Sequence, residues 1–346
     1  MSENKKSVRT EVSRYGEFGL IEKLTAGFNS LHPSTIKAVG DDAAVLRYPD
    51  RAIVVTSDLL IEGIHFDLAY TPLKHLGYKA ASVNFSDVYA MNAMPGQILV
   101  SIAISSRFSV EDLDEFYEGI KVCCEKHGAD LVGGDTSSSL TGMMISITAI
   151  GEVLPSGPVY RSTAQNNDII CVSGDMGAAY MGLQLMEREK RVLAGNRFVM
   201  PDFEGNDYLL KRLLKPEARR DIVLMLKDAG VVPTAMIDIS DGLSSELMHI
   251  CSQSKKGCKI FEEKIPIAVP TRELAKELVV NPLVCALNGG EDYELLFTVP
   301  VGQYDKISSL DGITAIGHIT PADAGLNLIS AGGQFIPLQA QGWQAF

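Results

Sequence analysis

The spacing of apolar residues along this chain switches repeatedly between the period of a strand and that of a helix. The β-branched run AIVVT at 52–56 has the character of a buried strand, and so do 98–104 (ILVSIAI) and 143–150 (MMISITAI). Residues 131–132 add a short strand between the last two, and 169–173, 235–239, 294–299 and 313–319 continue the series. Between the strands lie helical stretches: 18–29, then 72–90 with Pro72 in its first turn and Thr71 as N-cap. Ser109 and Asp112 form a capping-box pattern that opens a helix to His127. Further helices are predicted after the turn at 174–177, over 216–229 and over 242–254. The stretch 155–167 is rich in turn formers and divides the pattern. The expectation is an α/β (α+β) chain in two lobes, 1–155 and 156–346, with no internal repeat.

Composition narrows the function more than the fold. A net charge of -12 leaves no excess of Lys and Arg to cover a nucleic-acid backbone, so no nucleic-acid partner is expected. If the ligands are phosphates, the neutralising cations must be divalent metal. The six cysteines show no CxxC spacing, which predicts reduced thiols used as core filler. The N-terminal residues carry charges with no apolar stretch behind them, and no apolar run approaches the ~20 residues of a membrane span. A cytoplasmic protein with no membrane partner is expected.

The chemistry is concentrated in aspartates. Asp41 and Asp42 follow Gly40 in VGDDAAVL, Asp58 ends the strand run in VVTSDLL, Asp135 follows two glycines in LVGGDTS, and Asp238 and Asp241 bracket a strand end in MIDISDGL. Carboxylates at strand ends beside glycines are where hard divalent cations are held. Two of them have plainer readings that stay open: Asp241 as a helix cap before Gly242, and Asp135 as an Asx-turn residue. In the helix over 72–90, Leu76, Ala80, Val83 and Asp87 are spaced 4, 3 and 4 apart and share one face. A carboxylate at the end of such a stripe needs either a metal or a cationic side chain, and both remain open. Two carboxylates about 4 Å apart repel by around 4 kcal/mol at an effective dielectric of 20, so the cluster implies several cations once a triphosphate is bound. No GxxxxGK[ST] phosphate loop is present.

GDDAAVL, TSDLLIEGIHF, NFSDVYAMNAMP, GGDTS, MIDISDGL and GGEDYELLFTV occur here in the order found in thiamine-monophosphate kinases. The chain resembles that family from Gly16 to its end, and through it the superfamily of aminoimidazole-ribonucleotide synthetase and selenophosphate synthetase. The resemblance implies transfer of the ATP γ-phosphoryl group to thiamine monophosphate, giving thiamine diphosphate and ADP. It implies several Mg2+ ions on Asp42, Thr56, Ser57, Asp58, Asp87, Asp135, Asp238 and Asp241. Nucleotide contacts fall on Tyr117, Gly134, Asp135, Arg161 and Ser240, and substrate contacts on His65, Glu291 and Trp343. It further implies an N-terminal mixed sheet that closes a barrel across a homodimer, beside a C-terminal α/β lobe. Other readings stand for three residues: His65 as a surface histidine, Tyr117 as a packing residue, Arg161 as a solvated charge. The sequence departs from the family pattern in STAQNND after Arg161, in Met94, and in a C-terminal GWQAF that lacks the usual histidine. The attacking group would be a phosphate oxygen already ionised at neutral pH, so no side chain is required as general base. The alternative functions are a related ATP-dependent synthetase or a non-catalytic nucleotide or metal sensor.

Overall fold

The computed structural model describes residues 33–195 and 203–340, together with Gly19 and Glu22. Most of the helix expected over 18–29, and Trp343, lie outside the described residues. Two sheets organise the rest. The first contains β1 (Thr35–Lys37), β2 (Ala44–Tyr48), β3 (Arg51–Ile61), β4 (Ala93–Ile104), β5 (Asp130–Ser138) and β6 (Met144–Val153), in the order β1-β2-β3-β6-β4-β5. Its pairs are antiparallel except β4 with β5. β3 runs beyond the short strand expected from AIVVT, because period-2 alternation continues through it. Val54, Thr56 and Leu60 are buried while Ser57 and Leu59 are exposed. Asp58 therefore sits inside a strand rather than at its end, on the same face as Thr56.

Helix α1 (Leu73–Ala90) packs against β3, β4 and β6 of this sheet and also against a strand of the second. Wedged between two layers, it is buried on nearly every side, as a helix without a solvent face must be. Thr71 does not cap it. Pro72 takes the N-cap place with no side-chain bond, and the Thr71 amide instead donates to the Asp67 carbonyl at 2.9 Å. Helix α2 (Val110–His127) opens on the expected capping box of Ser109 and Asp112 and crosses α1 at Gly77 and Gly119. A Cβ on Gly77 would lie 1.9 Å from the Phe116 carbonyl oxygen, and one on Gly119 would lie 1.9 Å from that of Lys74. Because the obstacle is backbone, Gly119→Ala is expected to cost about 1–3 kcal/mol, the usual penalty of overpacking. An unchanged urea midpoint would contradict this close approach.

The second sheet holds β7 (Ile169–Ser173), β8 (Ala235–Asp238), β9 (Lys256–Phe261), β10 (Leu295–Val299), β11 (Ile313–Pro321), β12 (Leu326–Ile329) and β13 (Phe335–Pro337), in the order β13-β12-β9-β11-β7-β10-β8. Only β9 with β12 is parallel. The helices of this half are α3 (Ala178–Gly195), α4 (Asp207–Leu214), α5 (Arg220–Asp228), α6 (Leu243–Ser254), α7 (Val269–Glu277), α8 (Pro282–Asn288) and α9 (Tyr304–Ser308). The helix expected over 216–229 is shorter, Arg220–Asp228, since Arg219 takes the non-helical φ -85, ψ 57 and becomes its N-cap. Residues 154–168 carry neither helix nor strand, yet Val159, Arg161 and Ala164 within them are buried. One apolar core joins Val54, Ile98 and Ile145 of the first sheet to Cys171, Phe297 and Val299 of the second. All six cysteines are free and buried, and no described helix is long and apolar enough to cross a membrane.

Candidate active site

Lys79, Val83 and Asp87 follow one another at helical spacing along α1 and face a cleft of about 580 Å³ where the two halves meet. At its inner end one carboxylate oxygen each of Asp42, Asp87 and Asp238 lie within 4.8 Å of one another. The three come from the loop before β2, the last turns of α1 and the end of β8. Asp58 and Asp241 line the same cleft. The Thr56 hydroxyl donates to Asp87 Oδ2 at 2.5 Å, across the strand face that Thr56 shares with Asp58. Among the described residues no Lys or Arg makes an ion pair with Asp87, so the cationic side chain that the sequence left open is absent there.

Arg161 is the cation of this corner. It is 7% exposed and therefore not a solvated charge; it pairs with Asp42 and, at 3.3 Å, with Asp41. One buried oxygen on each of these two aspartates, Oδ2, has no hydrogen-bond partner. Burial pushes Asp42 well above the usual carboxylate range despite Arg161. Burial and then the neighbouring Asp58 do the same to Asp87, and burial raises Asp238. On Arg161, burial works against the charged form but Asp42 and Asp41 outweigh it, so its pKa rises. The corner therefore has more negative charge than its own side chains neutralise.

The opposite wall is built by the GGEDYE turn. Gly290, Glu291 and Tyr293 have φ of 71°, 59° and 49°, a left-handed path that turns the Glu291 carboxylate toward α1. The Glu291 amide donates to the Ser240 carbonyl at 2.6 Å, tying this turn to the loop after β8. Lys79 Nζ, 4% exposed at its side chain, reaches both Glu291 oxygens at 2.8 and 2.9 Å and the His65 carbonyl at 3.4 Å. His65 Nδ1 accepts from the Ile61 amide at 3.0 Å, and burial lowers its pKa, which favours the neutral ring. The N-cap place of α6 is taken by Gly242 rather than by Asp241. Glu246 accepts from the Ser240 and Asp241 amides at 3.0 and 2.7 Å instead. Gly242 is required there, since φ is 118° and a Cβ would meet Asn288 Cα at 2.9 Å.

The structure thus brings together Asp42, Thr56, Asp58, Asp87, Arg161, Asp238, Ser240, Asp241, His65 and Glu291. It does not bring Ser57, Tyr117, Gly134 or Asp135 to this cleft within one chain. Ser57 lies on the other face of β3, its hydroxyl 3.2 Å from the Ile147 carbonyl. Across the sheet Asp58 is level with Ile147, Val100 and Gly134, three strand spacings or roughly 14 Å away. Asp135 is level with Leu59 by the same route, on the open face. Tyr117 packs edge-on to Phe116 against the core. Sequence reasoning missed Lys79 and Glu246. Lys79 stands eight residues before Asp87, and that helical spacing was the available signal; Glu246, five residues after Asp241, offered none.

Comparison with known proteins follows from this geometry. Residues 40–153 match the AIR synthase related protein, N-terminal domain. Thiamine-monophosphate kinase of Buchnera aphidicola subsp. Schizaphis graminum is 35% identical over 321 residues, 91% of this chain and 94% of its own. The Aquifex aeolicus thiamine-monophosphate kinase is 33% identical over 335 residues, 96% of this chain and 98% of its own. The solved structure of AaThiL complexed with AMPPCP and TMP has a TM-score of 0.83 at 32% identity, covering 98% of this chain and 100% of that one.

Proposed function

The chain belongs to the thiamine-monophosphate kinase family, and on that premise we propose that its cleft passes the γ-phosphoryl group of ATP to thiamine monophosphate, giving thiamine diphosphate and ADP. The observation that carries the reading is the meeting of Asp42, Asp87 and Asp238 at the end of a cleft whose other wall is Lys79 and Glu291. Magnesium fits this corner: hard oxygen donors converge, and Asp42 keeps a buried oxygen without a hydrogen-bond partner. Asp42, Asp87 and Asp238 would hold it, with Thr56, Asp58 and Asp241 beside them. Bound there, divalent cations neutralise the phosphates of donor and acceptor and the charge of the transition state.

The chain's own residues supply position. Thr56 and Arg161 fix the orientation of Asp87 and Asp42, so the carboxylates need not reorganise when substrate arrives. Lys79 holds Glu291 toward the acceptor's aminopyrimidine, and neutral His65 lines the same wall. No side chain has to remove a proton, because the acceptor oxygen is already ionised. Incubation with ATP, Mg2+ and thiamine monophosphate should yield thiamine diphosphate; a folded sample that forms none overturns the reading.

Two lobes, 1–155 and 156–346, and a cytoplasmic setting complete the proposal. A homodimer is supported by the face of the first sheet opposite α1, where Leu59, Leu99 and Met144 are 52%, 36% and 36% exposed. Closure of this face against a second copy would remove the exposed β5 edge and bury apolar side chains on both subunits. Ser57, Gly134 and Asp135, remote from the cleft of their own chain, would act in the assembled pair. Sedimentation at micromolar concentration should give a dimer, and a 37.4 kDa monomer would exclude it.

A further inference from the structure

A second cavity, of about 640 Å³, opens between the C-terminal end of α2, α4, the 215–219 connector and the start of α5. Its charge is the reverse of the chain's. Lys126, Lys211, Arg212, Lys215, Arg219 and Arg220 line it against only three carboxylates, Glu217, Asp221 and Glu294. Those three are already engaged. Glu294 is clamped by Arg212, at 2.6 Å, and by Arg219; Asp221 is 2.8 Å from Arg219, and Glu217 pairs with Lys126. Lys211, Lys215 and Arg220 make no ion pair with a carboxylate among the described residues. Lys215 is held over the Tyr78 ring at 4.4 Å, and Arg220 Nη1 donates to the Lys126 carbonyl at 2.9 Å.

Two buried groups on this lining lack partners. His127 is 2% exposed; its Nδ1 lies 2.8 Å from the Tyr89 hydroxyl while Nε2 has no partner, and Arg220 Nε has none either. Unpaired buried polar atoms beside mutually repelling cations destabilise a fold, and an anion joining the cations removes their repulsion. Guanidinium and ammonium groups approaching from several sides match the oxygens of a phosphate group. We propose that this cavity is a second ligand site, distinct from the acidic cleft, that binds a small phosphate-bearing polyanion through Lys211, Lys215, Arg220 and His127. The volume admits either an inorganic polyphosphate or a nucleotide-sized phosphate ester.

The test uses the full chain in EDTA, where the acidic cleft repels anions. Pyrophosphate and ADP are titrated separately, with calorimetry as one readout and the His127 imidazole Cε1–H proton resonance as the local one. Saturable movement of that resonance is expected. Response to both ligands identifies recognition of phosphates alone, and response to ADP only identifies a phosphate ester. Lys215→Gln and Arg220→Gln should each weaken binding by roughly tenfold, the loss of one charge-assisted hydrogen bond, while Asp87→Asn should leave it intact. If Arg220→Gln fails to fold, the double change Lys211→Gln/Lys215→Gln carries the test, since their one mutual hydrogen bond is between backbone atoms and neither side chain makes a hydrogen bond or ion pair among the described residues. A His127 signal unmoved by either ligand at about 10 mM, or wild-type affinity in the lysine variants, overturns the proposal.

Discussion

Asp87→Asn is expected to lower turnover by roughly a hundred- to a thousandfold, the scale of losing one preorganised electrostatic group, and at the same time to make the metal-free protein more stable. Activity and stability part because the corner is built for cations that side chains only partly supply. Burial, then Asp58, Asp238 and Asp42, hold the Asp87 pKa above its ordinary value. A folded-state pKa above the unfolded one means that its contribution to stability is full below about pH 4 and is lost as pH rises through the raised value. At pH 8 the ionised carboxylate therefore costs stability, and the neutral amide, of nearly the same shape, removes that cost. A rise in melting temperature of about 2 °C at pH 8 is expected, shrinking as the pH is lowered through the raised Asp87 value. Scanning calorimetry in EDTA across this pH range checks the sign. A destabilised Asp87→Asn protein with substantial activity would make Asp87 a structural residue.

Arg161→Ala should have the larger effect on folding, a loss of about 3–5 kcal/mol near neutral pH, because it leaves the buried charges of Asp41 and Asp42 without their partner. The loss should shrink as the pH falls, since burial raises the Asp42 pKa and protonation removes the charge that lost its partner. Arg161→Ala/Asp42→Asn should recover part of the stability at pH 8, and the recovery measures the coupling directly. Urea unfolding that shows no difference between Arg161→Ala and the parent would mean that water, rather than the protein interior, surrounds this pair.

Much of this site follows from local periodicity. The stripe Leu76, Ala80, Val83, Asp87 is a helical face whatever surrounds it, and α1 presents Asp87 as that spacing requires. The capping box at Ser109 is likewise encoded within four residues. What resists reading is the long-range pairing. Asp42 and Arg161 are 119 residues apart, and Lys79 and Glu291 are 212 apart, with no local pattern to announce either contact. Asp58 looked like a strand terminus because the apolar run stops at Thr56. The strand continues because it stays paired with β6 through Ile61 and its inward–outward alternation is unbroken. Ser57 and Asp135 carry the family motif, but period 2 puts them on the opposite sheet face from Asp58, which a motif alone does not disclose.

The ion pair between Lys79 and Glu291 also bears on how the chain is made. Asp42, Asp58 and Asp87 leave the ribosome first, Arg161 after them, then Asp238, and Glu291 only near the end. At roughly 5–20 residues per second, the interval from the first of these to the last is on the order of ten to fifty seconds. From the synthesis of Asp87 until β8 is made, the nascent first half carries all three of these carboxylates, and α1 lacks the β8 neighbour that buries its other side. Arg161 is thus the first partner of Asp42 to arrive, and a lesion there would be felt during synthesis, before any substrate could bind.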